Sequence, residues 1–72
     1  MSYTFSAIVE KEGKFYVALC PELDVASQGK TIETALANLK EAVSLFIESA
    51  SRKELAAATA SRPLITTLEV TV

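Results

Sequence analysis

The chain has 72 residues, 50% hydrophobic and 22% charged, with a formal net charge of −2 and one Cys. That length sets a single domain, the hydrophobic content excludes disorder, and one Cys excludes an internal disulfide. The absence of His removes His-dependent catalysis and His-ligated metal sites, and no apolar run nears the ~18–20 residues of a membrane span.

Residues 3–11 read as a first strand. Tyr3, Phe5, Ala7 and Val9 share one parity and Thr4, Ser6, Ile8 and Glu10 the other, the period-two signature of a half-buried strand. Glu12-Gly13 breaks the run and marks a hairpin turn. Residues 14–20 return as a second strand, apolar on both parities and so expected to be central and covered on both faces. Pro21 ends it, since proline has no N–H for the ladder. Pro21-Glu22-Leu23-Asp24 forms a loop, and Val25 to Gln28 a short third strand at an edge. Gly29 closes that strand, with an expected positive φ.

Thr31 fits a helix N-cap, and Glu33 suits the positive end of the helix dipole. Ile32, Leu36, Leu39, Val43, Phe46 and Ile47 follow at spacings of three and four, flanked by Ala35 and Ala42. Glu33, Asn38, Lys40, Glu41, Ser44 and Glu48 occupy the opposite face, so one long amphipathic helix lies on a core. Leu45 falls off the stripe and marks a contact surface. Ser51-Arg52-Lys53-Glu54 fits a capping box, from which a short second helix could run through the Ala-rich stretch. Arg62-Pro63 ends that region.

Leu64 to Val72 reads as a final strand, with Leu64, Leu68, Val70 and Val72 on one parity, Thr66 among them, and Ile65, Thr67, Glu69 and Thr71 on the other. The expected fold class is therefore α+β, in the order β-β-β-α-β. A right-handed crossover places the last strand beside the first, giving a mixed four-stranded sheet of order 3-2-1-4 with one helix on one face. The second strand is too apolar for its other face to meet water, so a partner or a second copy is expected there.

Chemistry-bearing clusters are sparse. The acids Glu10, Glu12, Glu22, Asp24, Glu33, Glu41, Glu48, Glu54 and Glu69 are scattered, and a two-metal site needs several that converge; solvated surface charge explains them. Cys20 has no His or adjacent cation to activate it and reads as a small hydrophobe. Gln28-Gly29-Lys30-Thr31 lacks a Gly-rich phosphate loop and reads as a strand-to-helix turn. Lys30, Lys40, Arg52, Lys53 and Arg62 form no basic stripe, and Tyr3, Phe5, Phe15 and Tyr16 fit core packing better than a base-stacking platform. Glu22, Leu23 and Asp24, on the loop between strands, are the candidate partner-binding residues, although a simple turn with Asp24 bonding locally explains them too.

One ordered set of residues is more specific. Cys20-Pro21-Glu22-Leu23, then Ser27-Gln28-Gly29, then Thr31, Glu33, Ala35, Asn38, Glu41 and Ala42 resembles the signature of the HicB-like antitoxin family. The resemblance covers residues 3 to about 48, and the last strand matches only in position and pattern. Asp24-Val25 stand where the family often has Gly, Lys30 where it has an acid, and Thr34 where it has Glu. The resemblance implies a degenerate, partial ribonuclease-H-like fold without the nuclease carboxylates. It implies a partner too, a small HicA-like toxin that cleaves mRNA and is masked by the antitoxin. Many such proteins carry a C-terminal DNA-binding domain, and here none is expected in a single domain over residues 1–72.

The expectation is thus a non-catalytic antitoxin-like binding module with no cofactor or metal, binding a small basic HicA-like toxin. A homo-oligomer, dimer or larger, is expected, with no direct nucleic-acid or membrane contact. The N-terminus lacks a signal-peptide pattern, so a cytoplasmic setting is expected. One alternative is a solitary self-associating regulatory or scaffold module. Another is a minimal metal-dependent hydrolase or nuclease using Glu10, Glu22 or Asp24.

Overall fold

Chain reversal at Gly13 organises the sheet. In the computed structural model, which describes residues 3–60 and 63–72, Gly13 has φ 61°, a left-handed value that glycine adopts without a Cβ clash. Strands β1 (Ile8–Glu12) and β2 (Phe15–Cys20) leave this turn antiparallel, from Glu12↔Phe15 to Ile8↔Leu19. Strand β3 (Val25–Gly29) pairs with the far side of β2, from Cys20↔Val25 to Tyr16↔Gly29. The sheet is three-stranded, in the order β1-β2-β3.

Helix α1 (Ile32–Ser49) follows, and Thr31 caps it: its Oγ1 accepts from the Thr34 N–H at 3.1 Å. Two contacts fix α1 against β3. A Cβ on Gly29 would lie 2.5 Å from the Ala35 backbone nitrogen, so the helix backbone rests directly on the strand. One turn later the Asn38 side-chain amide donates to the Gln28 carbonyl at 2.8 Å. Gly29 is thus required for close approach; it is not at positive φ, contrary to the sequence expectation.

The core forms between α1 and one sheet face. Ala18, Cys20, Ala35 and Leu39 are buried, and Phe5, Val9, Tyr16, Leu23, Val25 and Val43 pack around them. The flanking Ala35 is at the centre of the helix stripe, while Ile32 and Leu36 lie at its exposed rim. Side chains alternate across a strand, so with Ala18 and Cys20 beneath α1, Val17 and Leu19 face away from it. In register with them lie Ile8, Ala26 and Gln28. Among the described residues no helix covers this second face, where Ile8, Val17 and Leu19 are half-buried, and a helix covers β2 on one side only.

A second helix, α2 (Arg52–Ala60), is capped by Ser51, whose Oγ accepts from the Glu54 N–H at 3.1 Å. Its Leu55 is buried. The fold class is α+β as expected, with two helices instead of one. The expected fourth strand does not form within the chain: residues 63–72 carry no regular secondary structure and all are exposed. Helix α2 occupies the connection that was to return the chain to β1, and a strand exists only where an edge accepts its hydrogen bonds. The radius of gyration is 13.8 Å, against about 11 Å for a compact domain of this length. Residues 63–72, all exposed, are not packed into the core.

Candidate functional site

The loop after β2 turns one of its acids inward. Glu22 lies half-buried and both its carboxylate oxygens accept from the Ser6 N–H, at 3.1 and 2.9 Å. The Cys20 thiol donates to Glu22 Oε1 at 3.6 Å. This clamp explains why β1 starts at Ile8 and not at Tyr3: β2 ends at Cys20, and the Ser6 N–H goes to a side chain instead of a ladder. Partial burial works to raise the Glu22 carboxyl, but hydrogen bonds from its own N–H, from Ser6 and from Cys20 outweigh that and hold it below its ordinary value of 4.5.

A lowered folded-state value means that ionised Glu22 stabilises the fold above pH 4.5, and that this contribution fades as pH falls through the folded value. Glu22→Gln keeps an acceptor for Ser6 but removes the charge. The variant is expected to be less stable at pH 7, by about 1 kcal/mol, and to converge on wild type toward pH 3. Urea midpoints across that range test this; a gap that ignores pH would remove the charge from the account.

Leu23, the second loop candidate, packs against the core. Asp24 is exposed with φ 54°, a left-handed value its short polar side chain tolerates. Of Glu22, Leu23 and Asp24, only Asp24 turns its charge outward. Glu10 and Glu12 are exposed on β1, and Glu33, Glu41 and Glu48 on α1. Among the described residues no three acid or thiol groups gather into a metal-binding set. Burial pushes the Cys20 thiol up, away from the reactive thiolate. The Tyr3 and Phe5 rings stack at 6.2 Å. Phe15 and Tyr16 are adjacent on β2 and point to opposite faces, so the four aromatics form no common platform.

A concavity lies beside residues 3–7, which lead into β1. It is a cleft of about 540 Å³. Tyr3, Phe5 and Ala7 form one wall, Leu36, Val43 and Ile47 of α1 the other, and Cys20 and Leu39 also line it. Lys40 lines it as well, though the sequence pattern assigns it to the solvated face; its aliphatic stem suits an apolar wall with the ammonium in water. The sequence assigns Leu36 and Ile47 to the core, and it is the missing fourth strand that leaves them at an open cleft. With the uncovered face of Ile8, Val17 and Leu19, the cleft gives this small domain two apolar surfaces. Among the described residues no helix is long and apolar enough to cross a membrane.

No family model and no solved structure matches the chain. A UPF0150 protein of Synechocystis is 45% identical over 49 residues, which span 65% of this chain and 62% of that protein. A UPF0150 protein of Helicobacter pylori is 36% identical over 66 residues, covering 90% of this chain and 92% of the relative. With nearly the whole length of both proteins aligned, from the β1 hairpin into the C-terminal segment, this chain belongs to the UPF0150 family.

Proposed function

We propose that this protein is a non-catalytic, HicB-like antitoxin module that binds and masks a small basic HicA-like toxin in the cytoplasm. The observation that carries the reading is the apolar surface left uncovered, the cleft beside β1 and the open sheet face, in a domain whose charged residues are scattered. Exposed apolar patches of this kind mark protein-binding sites. The signature from Cys20 to Ala42 supports the same reading, and much of it has a fold-building role: Glu22 clamps Ser6, Gly29 and Ala35 bring strand and helix together, and Asn38 holds Gln28. A partial ribonuclease-H-like sheet, completed by a fourth strand, is part of the proposal. Asp24, at the loop tip, is its candidate contact for a basic partner.

The test is capture of partners from host lysate on tagged protein, followed by a ribonuclease assay on any small basic protein retained. The expected result is mRNA cleavage by that protein, abolished at equimolar antitoxin. Asp24→Asn keeps the left-handed backbone and removes the charge, and it is expected to weaken capture. A retained protein without ribonuclease activity would overturn the toxin assignment.

A second reading, a self-associating regulatory module with no toxin, is favoured by the exposed C-terminal segment. Under it, the same experiment recovers only this chain.

A further inference from the structure

We propose that the Pro63–Val72 segment of one protomer adds as a fourth strand along the free edge of β1 in a second copy, closing the cleft beside it. The inference rests on the self-association part of the functional reading and names its mode.

Four observations converge on it. Strand β1 is bonded to β2 on one side and to no strand on the other among the described residues, and an open edge is a template for another chain's strand. The segment from Pro63 to Val72 has a strand's residue pattern and no edge of its own: Leu64, Leu68 and Val70 are 87%, 84% and 69% exposed. These three share one parity, so a strand beside β1 would turn them together toward one face of the sheet. On the α1 side, that face is the cleft lined by Leu36, Val43 and Ile47. The other parity, Ile65, Thr67, Glu69 and Thr71, is more polar and suits the uncovered face beside Ile8 and Glu10. The segment is longer than the five residues of β1, and its excess length would run beside Tyr3, Phe5 and Ala7, which wall the cleft.

A second copy is the occupant because the segment leaves its own domain. Helix α2 precedes the segment in the chain, and no residue from 63 to 72 is buried in its own protomer. The segment's large apolar side chains lie in solvent, where another protomer can receive them. If each of two copies gives its segment to the other, each β1 edge receives one segment in a closed two-fold dimer.

Sedimentation equilibrium on the full chain and on the Leu68→Asp/Val70→Asp variant tests the inference. Both side chains are solvent-exposed within the protomer, so circular dichroism should stay that of wild type. The expected result is a wild-type dimer and a dissociation constant raised roughly a hundredfold or more in the variant. Isotope-filtered NMR on a mixture of labelled and unlabelled wild type should place residues 63–72 of one copy against β1 of the other. A wild-type monomer would overturn both the inference and self-association. A dimer insensitive to the two substitutions, or one whose segment contacts only its own β1, would overturn the inference and leave self-association standing.

Discussion

Leu39→Ala is expected to cost this domain about 3 kcal/mol, inside the roughly 2–5 kcal/mol range for removing a buried leucine. Leu39 is the largest side chain among the four buried residues between helix and sheet. A core of this size supplies only about 3–5 kcal/mol in total, so the variant should sit near its unfolding midpoint at room temperature. Because Leu39 also borders the open cleft, water can enter the space, which keeps the loss below the upper end of the range. Leu36→Ala, one turn earlier at the exposed rim of the same cleft, is the control, with an expected loss near 1 kcal/mol. Urea denaturation of both variants decides it. Equal losses would mean that the cleft, and not the packed layer, carries the stability.

Gly29→Ala should be comparably severe, at about 3 kcal/mol, the upper end of ordinary overpacking costs. The added methyl would lie 2.5 Å from the Ala35 nitrogen and 2.8 Å from the Thr34 carbonyl carbon. Both are backbone atoms, so no rotamer change relieves the clash. The start of α1 must move off β3, stretching the Asn38–Gln28 hydrogen bond. Gly13→Ala is the informative comparison. There the methyl meets nothing within 4 Å, but φ is +61°, so the expected cost is the left-handed penalty alone, about 1–2 kcal/mol. Thermal melts with a helix-sensitive readout separate the two cases. A Gly29→Ala variant within 0.5 kcal/mol of wild type would mean that the helix slides freely on the sheet.

Those two glycines also mark where the sequence was readable. Gly13 follows an acidic residue between two apolar runs, and that local pattern suffices to place a hairpin. Helix α1 is legible for the same reason: the Thr31 cap and the three-four spacing are local. Gly29 is marked by its place between strand and helix, but its reason is the approach of a helix backbone, which no local rule contains. The inward turn of Glu22 is equally hidden, because its partner Ser6 lies 16 residues earlier. Of the candidate binding loop, the sequence located the residues but could not tell an outward carboxylate from a clamping one. The C-terminal segment shows the other limit. Period two identifies residues able to form a strand, yet a strand is defined by its neighbour, and the pattern names none.

The placement of Cys20 has a practical consequence. As the chain's sole cysteine, it provides a single-site chemical clock for motion of the domain. Although it borders the cleft, Cys20 is only 1% exposed and its thiol is bonded to Glu22, so a thiol-specific chromogenic reagent must wait for the packing around it to open. Labelling kinetics measured against denaturant would report how often the sheet and helix separate under native conditions, without any mutation.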